Sequence, residues 1–461
     1  MNLNQSQKEA VNHINGPCMV VAGPGSGKTY VITSRLINMI WNNNINPKNI
    51  IVITFTKEAA MQMSRRFFIH SEKENCRDTE DIKKSDVTFG TFHAIYFEIL
   101  RDNFGYSTDS VINENEKRKY IKKAANECGI HRYIKNEDIN KSENEKVRKV
   151  YRELLKKDKK LDYDEMISIC REMLLKDKKI LKKYQEKYKY VLIDEFQDIN
   201  DEQYSIIKLV CKTRNIFVVG DDDQSIYEFR GADGQIFNKF RKDYKFCKKI
   251  ILNINYRSVS KIVNFASRII NYNKTHLPKD LVSNSKKSGF IEVRGFRTKD
   301  EESMYITKSI LHRHSEGIRY KDMAVLFRTN TVPYVLISYF IEYKIPFVIN
   351  DKISNGNGYK KLFEKYFNLD EATKLRTDAV HLFTFHGSKG LEFLDVHIVE
   401  ANDGIIPHKK CIARLDIEAE RRLFYVACTR AKENLHIYYT SDGRKPSRFI
   451  FEGIEEKTYK R

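Results

Sequence analysis

The sequence predicts an α/β protein with two parallel-sheet units and a helical insertion in the first. Three observations lead there. Short apolar runs alternate with amphipathic helical stretches along most of the chain, the pattern of parallel strands covered by helices on both faces. Two of the runs end in chemistry-bearing residues, AGPGSGKT at 22–29 and VLIDEFQD at 191–198. The stretch 101–190 is different in kind: it has almost no strand signal, and it carries 25 Lys+Arg and 17 Asp+Glu in helical repeats.

In chain order, strands are expected at 18–22, 50–55, 190–194, 216–220, 290–296, 323–328, 379–385, 395–400 and 434–440, with helices between several of them, as at 28–41 and 258–272. The first strand leads into a phosphate-binding loop. The spacing G-x-x-x-x-G-K-[ST] would put glycine at 22, where this chain has Ala22. Gly23, Gly25 and Gly27, with Pro24 and Ser26 between them, still let the backbone turn its N–H groups toward an anion. Lys28 is placed to reach the β- and γ-phosphates, and the Thr29 hydroxyl to hold Mg²⁺. The run Val191–Ile193 reads as a buried strand with Asp194 and Glu195 at its carboxyl end. That is where an ATPase needs a metal ligand and a base for the attacking water.

The 461 residues suffice for two or more domains, and 41% hydrophobic content marks a globular chain. No apolar run reaches the ~18–20 residues that span a bilayer. MNLNQSQKEA does not read as a signal peptide, so a cytoplasmic location is expected. The eight cysteines, at 18, 76, 128, 170, 211, 247, 411 and 428, form no C-x-x-C pair and read as reduced thiols. The net charge of +20 suits a polyanionic partner. A Lys-, Asn- and Ile-rich composition also follows from an AT-rich genome, so charge alone leaves both readings open.

With these residues placed, the sequence resembles a UvrD/Rep-type superfamily 1 DNA helicase, collinearly from residue 3 to about 440. LNQSQKEAV at 3–11 resembles the family's adenine-reading motif. VITFTKEAA at 52–60 and VTFGTFHA at 87–94 resemble its first two DNA-contact motifs. VVGDDDQSIYEFRGA at 218–232, LNINYRS at 252–258, LFTFHGSKGLEF at 382–393 and ERRLFYVACTRAKENL at 420–435 match the third to sixth. Phe229 stands where relatives usually have tryptophan. Relatives insert a whole domain before the fifth motif, whereas only about 27 residues separate Asn350 from Thr377 here. That insertion is read as lost or reduced to a stub, and no carboxyl-terminal partner-binding module is read after the sixth motif.

The resemblance implies two RecA-like motor domains with ATP between them. The first would comprise 1–93 and 188–270, interrupted by a basic, DNA-contacting helical insertion at 94–187. The second would comprise 271–461, with the reduced insertion near 350–377. It further implies that Gln7 reads the adenine edge while Tyr256 stacks on the ring, and that Glu392 holds the ribose. Asp194 would join Thr29 on Mg²⁺, and Glu195 would deprotonate the water. Gln224 would sense the γ-phosphate, and Arg257 and Arg430 would stabilise the charge building there. Phe55, Tyr227 and Phe229 become candidates to stack on bases, and Thr91, His93, Arg230 and His386 candidates for phosphate or base contact. From the residues alone, Tyr256 also reads as a core aromatic, and the insertion as a merely solvated charged domain. Phe92 and Phe385 read as core.

The expectation is therefore an ATP- and Mg²⁺-dependent single-stranded-DNA translocase and helicase, moving 3′ to 5′, that acts on single strands and single/double-strand junctions. Three rival readings are kept. One is a translocase that serves a nuclease or strips proteins without unwinding DNA alone. Another is a nucleotide-gated DNA-binding switch. The third is an RNA helicase.

Overall fold

The computed structural model describes residues 3–73, 86–227, 232–329, 334–349 and 377–454. Its first sheet has six strands: β1 (Cys18–Ala22), β2 (Ile50–Thr54), β3 (Thr88–Thr91), β4 (Tyr190–Ile193), β5 (Asn215–Gly220) and β6 (Lys248–Leu252), in the order β3-β2-β4-β5-β1-β6. β2 pairs in parallel with β3 and β4, and β4 with β5; Ile50 to Ile53 lie against Tyr190 to Ile193. β1 and β2 are buried at every position. Their unbroken apolar runs, CMVVA and IIVIT, are what a strand covered on both faces requires.

A two-stranded ribbon, β7 (Ile254–Asn255) with β8 (Val282–Ser283), precedes the second sheet. That sheet has β9 (Phe290–Phe296), β10 (Met323–Phe327), β11 (Phe347–Ile349), β12 (Val380–Thr384), β13 (Phe393–Ile398) and β14 (Ala431–Thr440), in the order β11-β12-β10-β13-β14-β9. All five pairings are parallel. One core gathers Ile262, Phe265 and Ile269 of helix Ser260–Ile270 with Leu423 and Phe424 of helix Ile417–Cys428 and with Phe385. Another gathers Ile306 and Ile310 of helix Lys299–Ser315 with Ile337 and Phe340 of helix Tyr334–Glu342. Phe92 is also buried, so both core expectations hold.

The chain forms two compact units. One comprises residues 1–19, 29–219 and 238–248, the other residues 20–28, 220–237 and 249–461. Within the first unit the stretch 101–190 is helical, with a core of its own. Ile121, Ala124 and Ala125 of helix Glu114–Glu127 meet Val147, Tyr151 and Leu155 of helix Glu145–Lys157. Asn113 caps the first of these helices in a reciprocal box with Glu116. Lys117, nearly buried, ties it to Asp162 at 3.1 Å and Asp164 at 2.7 Å, at the start of helix Tyr163–Lys176.

All nine expected strands are present, within a few residues of the expected ends. β3, β6, β11 and the β7–β8 ribbon add to them. The helix expected over 28–41 runs as α-helix over Lys28–Ile37 and widens into a π turn over Asn38–Asn42. Residues 350–376, where the reduced insertion was read, lie outside the described residues.

Candidate nucleotide and DNA site

The phosphate loop follows β1. Ala22 is its last strand residue and fully buried, a place where a methyl group packs and glycine has no advantage. Gly25 and Gly27 adopt φ of 65° and 85°, the left-handed conformation that curls consecutive N–H groups into an anion cradle. A side chain at Gly25 has no room, since a Cβ there would stand 2.5 Å from the Arg257 Cβ. Ser26 Oγ donates to Gly23 O at 2.7 Å, which braces the turn from inside. Lys28 opens the helix that follows, so the loop also has a helix N-terminus behind it.

Asn255 ties the loop to Arg257. Its Nδ2 donates to Pro24 O at 2.8 Å, and its Oδ1 accepts from the N–H groups of Arg257 and Ser258, both at 2.8 Å. Tyr256 N donates to Gly25 O at 2.9 Å. The Tyr256 side chain is 42% exposed, which removes the core-aromatic reading. Arg257 Nε donates to Glu392 Oε2 at 2.7 Å, and Lys432 holds the other oxygen of Glu392 at 2.7 Å. Partial burial pushes the Glu392 carboxyl up, but Arg257 and Lys432 outweigh it and hold it below its usual value.

Gln224 and Arg430 form a second cluster in the same unit. Arg430 is 1% exposed, and its Nη2 is 3.3 Å from Gln224 Oε1. Gln224 Nε2 donates to Asp221 Oδ2 at 2.6 Å, and the Gln224 carbonyl accepts from Lys389 Nζ at 2.8 Å. Lys389 Nζ also stands 4.9 Å over the Tyr227 ring, whose centroid is 6.4 Å from that of His386. Tyr227, His386 and Lys389 thus form one aromatic and cationic group, the combination that stacks bases and neutralises phosphates.

In the first unit, Gln7 is buried at the third position of helix Gln5–Asn12. Its Oε1 accepts from Asn4 N at 3.0 Å, so the candidate adenine reader also caps its own helix. Asp194 follows β4 and is 7% exposed; its Oδ1 accepts from Glu195 N at 3.0 Å. Gln197 Nε2 donates to Glu195 Oε2 at 2.5 Å. Glu195 has φ of 50°. Thr29 is half-buried in the first turn of its helix. Its hydroxyl and the Asp194 carboxylate are hard oxygen donors, the set that suits Mg²⁺.

Phe55 is half-buried just after β2. Thr91 Oγ1 accepts from Ala94 N at 3.2 Å and caps helix Phe92–Phe104. The His93 ring lies edge-on to Tyr163, 5.6 Å between centroids, and burial holds its pKa below the usual value. Phe229 and Arg230 lie outside the described residues.

Sequence reasoning missed Asn255, Lys389 and Lys432. Each lies inside a matched stretch, and the signal was a polar or charged side chain within three residues of one already singled out.

Family models describing the UvrD/REP helicase N-terminal domain match residues 3–126 and 106–245. The model of the UvrD-like helicase C-terminal domain matches 250–355 and 361–442. The ATP-dependent DNA helicase PcrA of Staphylococcus epidermidis is 33% identical over 378 residues, 76% of this chain and 51% of that protein. The ATP-dependent DNA helicase Rep of Buchnera aphidicola (subspecies Schizaphis graminum) is 28% identical over 646 aligned positions, covering 99% of this chain and 97% of that protein. This chain thus spans about half the length of the Staphylococcus relative. Against the Buchnera one it aligns almost end to end, over more positions than it has residues.

Proposed function

The chain belongs to the UvrD/REP helicase family, and from that premise we propose that it is an ATP- and Mg²⁺-dependent DNA helicase, a motor that moves 3′ to 5′ on single-stranded DNA. The observation that carries this reading is the Gln224–Arg430 pair. It unites a carboxamide able to touch a γ-phosphate with a guanidinium able to stabilise its charge. The Tyr227, His386 and Lys389 group lies within reach of the same glutamine, so one residue touches both the nucleotide chemistry and the DNA track.

In this reading the amides of 23–27, with Lys28, bind the phosphates. Gln7 and Tyr256 hold adenine, and Glu392 the ribose. Thr29 and Asp194 would hold Mg²⁺, which supplies charge neutralisation on the phosphates. Glu195 takes the proton of the attacking water, and Arg257 and Arg430 bind the oxygens on which charge builds. Phe55, Thr91, His93, Phe229 and Arg230 complete the DNA track. The motor domains are 1–93 with 188–270, and 271–461; 94–187 is a DNA-contacting insertion. A cytoplasmic location fits the described residues, none of whose helices is long and apolar enough to cross a membrane.

A second reading is favoured by the short 350–377 stretch. A motor with little grip on duplex DNA would step along one strand yet unwind poorly alone, and would serve a nuclease or another partner. Melting each base-pair step costs about 1.4 kcal/mol of stacking. The test compares stopped-flow single-strand translocation with forked-duplex unwinding at single-turnover concentrations. Robust translocation with weak unwinding is expected. Processive unwinding by a lone monomer would refute the partner-dependent reading, and absent DNA-stimulated ATP hydrolysis would refute the motor itself. RNA in place of DNA as the stimulating strand separates an RNA helicase, and negligible turnover would indicate a nucleotide-gated switch.

A further inference from the structure

Lys279 lies between the short motifs quoted for the family resemblance, in none of them, yet its side chain is only 3% exposed. Its Nζ is 3.0 Å from Asp221 Oδ1, 2.5 Å from Asp222 Oδ1 and 2.7 Å from Asp223 Oδ2. Leu277 N donates to Asp222 Oδ2 at 2.6 Å, so the backbone holds this segment against the same carboxylates. The three aspartates lie close enough together to share one cation, and the Lys279 ammonium stands where that cation would be.

Asp221 is fully buried, and its second oxygen accepts from Gln224 Nε2 at 2.6 Å. A carboxamide has one donating and one accepting end. With Nε2 committed to Asp221, Oε1 is the end that faces Arg430 Nη2. That arrangement uses Asp221 as the acceptor and depends on where its carboxylate is held. Two buried carboxylates and a half-buried one this close repel one another unless a cation lies among them. If the Asp221 carboxylate swung away, Gln224 Nε2 would lose its partner and the carboxamide could turn its N–H groups toward Arg430, donor against donor.

We propose that Lys279 is a positioning residue for ATP turnover: it holds the Asp221 carboxylate by one oxygen, and the other oxygen of Asp221 thereby fixes which end of the Gln224 carboxamide faces Arg430. The proposal rests on the ATPase reading above. The other groups around the cluster fit it. Burial pushes Asp223 up, toward about 8, and His276 Nδ1 stands 3.8 Å from its Oδ1. Burial works against the Lys279 charge, but the three carboxylates outweigh it and raise its pKa. Tyr425, on helix Ile417–Cys428, is kept protonated by burial and by the same three carboxylates.

The test is steady-state, DNA-stimulated ATP hydrolysis by wild type, Lys279→Met and the pair Lys279→Met with Asp223→Asn, with kcat and KM for ATP determined separately. The double variant removes one positive and one negative charge, so it folds with the formal charge of the cluster unchanged and decides the matter where the single variant does not fold. In the variants kcat at neutral pH falls roughly 10–100-fold, the usual cost of losing a group that orients a site residue, while KM for ATP holds. Wild-type kcat in the double variant would overturn the proposal and leave the ATPase reading intact. Loss of turnover and ATP binding together would also overturn it, because Lys279 would then serve only as scaffold. A wild-type protein that hydrolyses no ATP would overturn the reading beneath it.

Discussion

Arg430 Nη2 donates to Gln224 Oε1 across 206 residues of chain, while its Nε and Nη1 donate to the carbonyls of Val426 and Leu391 at 2.9 and 3.1 Å. These partners are neutral acceptors. They fix the plane and direction of the guanidinium.

Arg430→Lys keeps the charge and removes the fork. A lysine ammonium is a point charge and cannot reproduce these separately directed bonds. Turnover is expected to fall by on the order of 10³-fold or more, the scale of an arginine that stabilises phosphoryl transfer. ATP binding should survive. Single-turnover hydrolysis with a fluorescent-nucleotide titration checks this; a wild-type rate in the lysine variant would place Arg430 outside the chemistry.

The phosphate loop and the carboxylate after β4 separate binding from chemistry. Lys28→Ala removes the cationic side chain of the loop and should abolish hydrolysis. Glu195→Gln preserves shape but offers no carboxylate for the water's proton, so nucleotide should bind and persist unhydrolysed. Trapped ATP, measured by filter binding, is the expected readout. Unimpaired turnover in Glu195→Gln would move the base elsewhere.

DNA affinity should depend steeply on salt. The log–log slope is expected near −0.7 for each phosphate contacted on a single strand. Tyr227→Ala should weaken single-strand binding by roughly 1–3 kcal/mol if its ring stacks on a base. Fluorescence anisotropy across a salt series measures both. Unchanged affinity in Tyr227→Ala would leave the ring a packing role beside Lys389.

His381 makes a pH prediction. It is buried on β12 and stacks on Phe383, and burial lowers its pKa from 6.5 to about 4. The unfolded chain therefore binds the extra proton first. Stability from the neutral ring is complete above pH 6.5 and is lost as pH falls toward 4. Between pH 7 and about 4.5 this one group should account for roughly 2–3 kcal/mol of destabilisation. His381→Phe keeps a flat ring that does not titrate, so urea melts at the two pH values should differ less in the variant by about that amount. Equal pH dependence in both proteins would contradict the assignment.

Much of this architecture could be read from the chain because its signals are local. An apolar run such as IIVIT at 50–54 makes a buried strand wherever it is placed, and Gly-x-Gly before Lys28 bends in the same way. The strands that escaped notice are those whose partners make them. β3 is only TFGT, β11 only three residues, and β6 begins with two exposed lysines. Each extends a sheet that is already formed. The same contrast divides the site. Lys28 announces itself by spacing, whereas Lys279, in the plain stretch HLPKDL, acquires meaning only where the fold brings three aspartates to it.

Glu195 has the left-handed backbone conformation, which costs a residue with a Cβ on the order of 1 kcal/mol. Glycine would hold that bend without strain. On the proposed role, robustness and turnover therefore pull in opposite directions at this position. A lineage selected only to withstand heat would drift toward glycine there, and would keep the fold while losing its engine.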